Sequence, residues 1–272
     1  MRRDGHALRA FRRPSGFGFD LRFYERVDST NAVALKAGLA GAPEGLVVLA
    51  DEQTAGRGRL DRSWLAPAGS SLLLSMLFRP PAPFAATAPR IPLACALALH
   101  TALSCVAPLA PPLAYRLKWP NDAIVERPDG TWGKVAGMLS EIGSIGDEPS
   151  FVVVGIGINV NITPELLPHI APGAASLLAE QGAPVPRPVL LEALLSAVDS
   201  WYAALCAGGD VLSAWRDRLA WMGRSVELRG PTETVVGIAE SIASDGALCL
   251  RLPSGEQRCF SVGDVSLRPF LP

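Results

Sequence analysis

The stretch Ile91 to Ala107, IPLACALALHTALSCVA, runs 17 positions without a charged residue and constrains the fold more than any other segment. As a helix it rises about 1.5 Å per residue and reaches roughly 25 Å, short of the ~30 Å hydrocarbon core of a bilayer. It also carries His100, Thr101 and Ser104 and is ended by Pro108, Pro111 and Pro112. The reading is a helix buried in a protein core. His100 is then a hydrogen-bonded core histidine rather than a ligand.

Apolar runs of strand length surround it. Leu21 to Arg26, Leu46 to Ala50, Leu72 to Phe78, Tyr115 to Trp119 and the β-branched run Phe151 to Val160 read as strands. Pro128-Asp129-Gly130 marks a hairpin between Ile124-Val125 and Val135 to Glu141. Asp28, Ser29, Thr30 and Asn31 offer cap residues to a helix that Gly41 stops. A second helix over Pro188 to Cys206 repeats Leu190, Leu191, Leu194, Leu195, Val198, Trp201 and Tyr202 at helical spacing. From Gly223 onward the pattern changes to short strands, RSVELRG, TVVGIAESIA, GALCLRL and QRCFSVGDVSL, separated by turn signals. About 50 residues of small barrel are marginal alone and are expected to pack on the main domain. The expected division is a flexible basic segment at 1–19, a main domain at 20–222 and the barrel at 223–272.

Charge narrows the partners. The 272 residues carry a net charge of −1, so no whole-surface attraction to nucleic acid or to an anionic membrane is expected. Five arginines among the first 13 residues read as a frayed basic terminus. The five cysteines include no CxxC pair, which favours reduced thiols in the cytoplasm. Cys249 and Cys259 fall where a hairpin can oppose them, although small buried hydrophobes are the simpler reading.

Four stretches carry chemistry. In Gln53-Thr54-Ala55-Gly56-Arg57-Gly58-Arg59, continuing through Arg62 to Trp64, glycines allow close backbone approach and arginine forks suit phosphates and carboxylates. A solvated basic loop would look the same. Lys118-Trp119-Pro120-Asn121-Asp122 gathers a cation, an amide and a carboxylate in one turn, able to hold a phosphate and its Mg²⁺, or simply to turn the chain. Lys134, in Gly133-Lys134-Val135-Ala136-Gly137, stands at the mouth of an apolar strand, where it needs an anionic partner or guards an edge. In Gly155-Ile156-Gly157-Ile158-Asn159 the glycines line a ligand or mark a bulge, and Asn159 offers an amide to a purine edge. Neither a P-loop nor a complete dinucleotide fingerprint is present.

From about Asp20 to the C-terminus the chain resembles the biotin–protein ligases. The resemblance rests on the order DSTN, QTAGRGR with R and W following, KWPND, GKVAG and GIGIN. It implies an α+β fold, a mixed β-sheet flanked by helices of the class II aminoacyl-tRNA synthetase and biotin-ligase type, with a small C-terminal SH3-like β-barrel. It implies that Ser29, Thr30, Asn31 and Gln53 hold the biotin ring system, and that Arg57, Gly58 and Arg59 close over biotin and the adenylate. It places Lys134 at the reacting oxygens, Arg62, Lys118, Asn121 and Asp122 at the nucleotide and its Mg²⁺, and Asn159 at the adenine. Lys134, Arg59 and Asp122 are the catalytic candidates, and Asp122 is the candidate metal ligand.

Biotin's carboxylate is already ionised at pH 7, so activation by ATP needs no nucleophile or base from the protein. His6, His100 and His169 indeed lie outside every motif. The obstacle is repulsion between a carboxylate and a polyphosphate, which the basic residues and Mg²⁺ offset. A carrier lysine then attacks the mixed anhydride, and Asp122 is expected to help accept its proton. The arginine loop is expected to be mobile until ligand orders it. The implied partner is a biotin carboxyl carrier domain of a biotin-dependent carboxylase, with the ligase a monomer or weak homodimer. About 20 residues precede the first strand, too few for a helix-turn-helix domain, so the resemblance is to the type lacking one. A lipoate or octanoate ligase is the nearest rival reading, and a non-catalytic biotin or nucleotide sensor is the rival from another class.

Overall fold

The computed structural model describes residues 3–230, 233–261 and 266–270. In chain order these form α1 (Arg3–Ala10), β1 (Leu21–Val27), α2 (Thr30–Leu39), β2 (Val47–Gln53), β3 (Ser71–Phe78), α3 (Phe84–Thr87), α4 (Ile91–Val106), β4 (Ala114–Lys118), β5 (Asp122–Glu126), β6 (Trp132–Ile145) and β7 (Glu148–Asn159). There follow α5 (Leu167–Ile170), α6 (Leu177–Gln181), α7 (Arg187–Cys206), α8 (Val211–Arg216), β8 (Ser225–Arg229), β9 (Thr234–Ile242), β10 (Leu248–Arg251), β11 (Gln257–Phe260) and β12 (Ser266–Pro269).

Strands β1 to β7 make one mixed sheet in the order β1-β2-β3-β7-β6-β5-β4. Its β1–β2 pair is parallel and the rest are antiparallel. Alternation along the central strand β7 assigns the two faces. Val152, Val154, Ile156 and Ile158 join the large core formed with α4 and α7, while Phe151 and Val153 pack under α2 on the opposite face. The uncharged run 91–107 is thus α4, packed against α7 and the sheet. By length and composition alone, the α3–α4 stretch and α7 are both apolar enough to cross a membrane; here the leucines of each join that core.

The second sheet is antiparallel, with the order β11-β10-β9-β8-β12, the expected SH3-like barrel. It docks beside β4 and β5. Leu117 exchanges backbone hydrogen bonds with Arg218 and Ala220 in the segment leading into the barrel, the Trp119 indole donates to Gly246 O at 3.1 Å, and Arg224 pairs with Glu126 at 2.8 Å. Residues 262–265 of the QRCFSVGDVSL run lie outside the described residues.

Two expectations are corrected. The basic N-terminal segment is not frayed from Arg3 onward: α1 seats Leu8 fully in the core, and Arg13 bonds Asp199 at 2.9 Å, Ser196 at 3.0 Å and Phe17 O at 2.7 Å. Arg13 is matched by Glu192 and Asp199 on α7, a pairing no local pattern displays. Cys249 and Cys259 form a disulfide, because the β10–β11 register sets them directly opposite one another. Cys95, Cys105 and Cys206 are free thiols.

Candidate active site

The cleft lies on the α2 face of the sheet, where β7 and β6 run out of side chains. Gly155 and Gly157 continue the row begun by Phe151 and Val153, and the register pairs Gly157 with Gly137 and Gly155 with Leu139. Both glycines of β7 are dictated by what lies on them. A Cβ at Gly155 would sit 2.1 Å from Asn31 Oδ1, and one at Gly157 would sit 2.5 Å from the Trp64 ring. Neither requires a left-handed backbone; each is a close approach.

The arginine loop crosses this floor as a short hairpin. Gly58 N donates to Arg62 O at 2.6 Å, Trp64 N to Gly56 O at 2.8 Å, and Arg57 bridges Ser63. Leu60 and Asp61 turn the tip with φ of 59° and 53°, a left-handed pair of the kind tight hairpins use. Among the contacts that dock the hairpin are three: the Trp64 ring against Gly157 and Gly137, Arg57 on Glu141 at 2.8 Å, and Arg59 on Asn121 Oδ1 at 3.2 Å. The loop, expected to be mobile until ligand orders it, is folded in this conformation and docked at its stems and near its tip. Opening it has to break all three contacts.

At one end, the start of α2 supplies polar groups. Ser29 makes no side-chain cap hydrogen bond. Gln53 Oε1 accepts from Thr30 N at 2.7 Å and from Thr30 Oγ1 at 3.0 Å. Ser75 Oγ lies 2.8 Å from Thr30 Oγ1 and 2.5 Å from Asn31 Oδ1, while Asn31 Nδ2 donates to Leu139 O and Glu141 Oε2. Asn31 is 4% exposed, and its amide protons are spent on the protein.

At the other end sits a charge cluster. Asp122 lies between Lys134, 2.6 Å from Oδ1, and Lys118, 3.3 Å from Oδ2. The shorter contact is an ion pair whose angle misses hydrogen-bond geometry. Burial by itself would push the Asp122 carboxyl up, but the two ammonium charges outweigh it and hold the group below the usual carboxylate range. Burial pulls the Lys118 ammonium down, only partly offset by Asp122. Lys118 stacks over Trp132 at 5.0 Å and Lys134 over Trp64 at 5.4 Å. A carboxylate held between two cations has less drive to take a proton than a free one.

Asn159 is 3% exposed and donates to Ala175 O at 3.0 Å, leaving Oδ1 buried with no partner among the described residues. Trp64 Nε1 is likewise buried and unpaired among them.

All thirteen residues singled out from sequence (Ser29, Thr30, Asn31, Gln53, Arg57, Gly58, Arg59, Arg62, Lys118, Asn121, Asp122, Lys134 and Asn159) line this one cavity. Sequence reading missed Ser75, Glu141 and Arg268. Ser75 had a visible signal, a lone hydroxyl inside the apolar strand SLLLSMLF. Arg268 reaches the cavity from β12 of the barrel, and nothing in its own neighbourhood in the chain points there.

A cleft with a glycine floor, hydrogen-bonding groups at one end and lysines and arginines at the other suits a ligase that joins a carboxylic acid to a nucleotide. Residues 23–159 match the Biotin/lipoate A/B protein ligase family, and residues 222–268 match the Biotin protein ligase C terminal domain. The chain is 39% identical over 239 residues to the biotin–[acetyl-CoA-carboxylase] ligase of Paracoccus denitrificans, covering 85% of this chain and 94% of that one. It is 36% identical over 242 residues to the Mycobacterium tuberculosis ligase of the same name, covering 87% and 85%. The biotin protein ligase from Aquifex aeolicus in complex with biotin and ATP superposes with a TM-score of 0.76 at 25% identity, over 92% of this chain and 99% of that one. The chain belongs to the biotin/lipoate A/B protein ligase family.

Proposed function

We propose that this chain is a biotin protein ligase that forms biotinyl-AMP from biotin and ATP and passes the biotin to a lysine of a biotin carboxyl carrier domain. The observation that carries the reading is the convergence of all thirteen residues on one glycine-floored cavity. The names of the Paracoccus and Mycobacterium relatives, and the ligands of the Aquifex structure, support it.

Biotin's ring system enters at Ser29, Thr30, Asn31 and Gln53, with its carboxylate directed toward Lys134. Asn31 acts there chiefly by shaping the pocket, because its amide is already committed. A biotin carboxylate oxygen attacks the α-phosphorus of ATP, the bond to the bridging oxygen breaks, and pyrophosphate leaves. Lys134, Arg57, Arg59 and Arg62 offset the mutual repulsion of the two anions. One opposed charge at ~4 Å is worth about 4 kcal/mol at an effective dielectric near 20. Lys118 and Asn121 serve the nucleotide phosphates. Asn159 presents only its acceptor oxygen, which fits the amino group of adenine.

Asp122 is the only acidic side chain among the described residues lining the cavity, and no group of three or more metal-ligating side chains occurs among them. A single carboxylate, already paired with two lysines, would give a nucleotide-borne Mg²⁺ at most one protein ligand, Asp122. Such an ion supplies further neutralisation of the polyphosphate. In the second step the neutral carrier amine attacks the anhydride carbonyl, the carbonyl–oxygen bond to the phosphate breaks, AMP leaves, and the amine's proton passes to the departing phosphate or to solvent. The role of Asp122 is to fix Lys134 and Lys118, not to take the amine's proton. We further propose the division at 20–222 and 223–272, a cytoplasmic setting and a monomer or weak homodimer.

Single-turnover transfer from preformed biotinyl-AMP to a carrier domain tests the reading. Wild-type protein transfers, and Lys134→Met slows formation of the adenylate about 100-fold or more. A wild-type protein that leaves the carrier unmodified, or that loads lipoate in preference, overturns it.

A further inference from the structure

Glu141 belongs to none of the motifs, yet it touches both halves of the cavity wall. It lies on β6 opposite Val153, one register step beyond Leu139, so its side chain stands on the cleft face. Its carboxylate accepts from Asn31 Nδ2 at 2.6 Å and from Arg57 Nη2 at 2.9 and 2.8 Å. Asn31 continues through Ser75 and Thr30 to Gln53. One chain of polar contacts thus runs from the end of β2, along the start of α2, to the arginine hairpin.

We infer that Glu141 is a positioning residue that locks the arginine hairpin in register with the floor of the biotin pocket. An ion pair of this exposure, with side chains 47% and 24% exposed, is worth little on its own. This one differs because the buried Asn31 amide already fixes the carboxylate, so little side-chain freedom remains to be lost when Arg57 binds. Of the three docking contacts, Trp64 rests on backbone and Arg59 reaches a turn amide. Arg57 reaches the polar network beneath the pocket. The inference deepens the proposed function and rests on it for the identity of the ligand, but the state of the hairpin is read independently of activity.

The test compares wild type with Glu141→Gln, which keeps the shape and loses the charge. Hydrogen exchange of residues 56–64 is measured on the ligand-free protein, and KM and kcat by biotin-dependent ATP–pyrophosphate exchange. The expected result is about five- to tenfold faster exchange in the hairpin and a biotin KM raised by a similar factor, with kcat within about twofold. This is the effect of weakening one charge-assisted hydrogen bond. Rising salt erodes hairpin protection in wild type and has little further effect in the variant. In an Arg57→Gln background the effect of Glu141→Gln on exchange disappears. Unchanged hairpin protection, an unchanged or lowered biotin KM, or an effect that persists without Arg57 overturns the inference. Loss of pyrophosphate exchange in wild type overturns the proposed function instead.

Discussion

Gly157→Ala tests the floor of the cleft with a single methyl group. The added Cβ falls 2.5 to 2.8 Å from three atoms of the Trp64 indole, so the ring has to retreat by roughly 1 Å to regain ordinary contact. Gly157 holds its place in the β7 ladder with an ordinary backbone, which alanine adopts without strain. The strand therefore stays and the hairpin yields. A Gly→Ala change in a compatible strand position lowers the entropy of the unfolded chain and offsets part of the crowding, by about 0.4–1 kcal/mol. Melting should shift by no more than about 3 °C. Activity should fall far more, because Trp64 carries the stem of the loop that bears Arg57, Arg59 and Arg62. A 1 Å misplacement of such groups costs about 100-fold in rate. The assay is kcat/KM for biotin and for ATP in pyrophosphate exchange, run beside a thermal melt. Wild-type kinetics with an unaltered melt would mean that Trp64 does not seat on Gly157 in the working enzyme. A collapsed melt would mean that the strand, not the loop, gives way.

Three further outcomes are expected. Leu8→Ala should cost about 2–5 kcal/mol in a denaturant titration, since Leu8 is fully buried; a loss below about 0.5 kcal/mol would show the N-terminal helix undocked. Asp122 is held below the ordinary carboxylate range, so its stabilising contribution is complete above about pH 4 and is lost as pH falls through its depressed value. Wild-type urea midpoints should accordingly drop more steeply below about pH 4 than those of Asp122→Asn, and parallel slopes would contradict the charge cluster. Asn159→Ala should raise the KM for ATP about tenfold and leave that for biotin within twofold, whereas an equal effect on both would remove Asn159 from the adenine subsite.

Much of this was legible because the chemistry sits in short contiguous segments. Strand β7 announces itself by β-branched residues, and GIGIN marks where side chains stop and the cleft begins. The runs QTAGRGR and KWPND each deliver several site residues from a single turn of chain. What stayed hidden is long-range. Arg268 arrives from a strand about 130 residues beyond Lys134 in the chain. Glu141 looks like a solvated end of an apolar strand until Asn31 and Arg57 are seen to converge on it. The basic N-terminus reads as a frayed tail because the partners of Arg13, Glu192 and Asp199, belong to α7. Asp122 lines the cavity, but the two lysines that set its charge environment are not both local, one of them lying twelve residues away on β6.

The central claim is that the cavity joins biotin, and not a related acid, to AMP. Biotin-dependent exchange of labelled pyrophosphate into ATP, with lipoate and octanoate run alongside, tests it most directly. The account predicts exchange with biotin at least 100-fold faster than with either other acid, the discrimination expected of a site built to hydrogen-bond its ligand. Exchange driven by lipoate or octanoate, or by no acid at all, would contradict it.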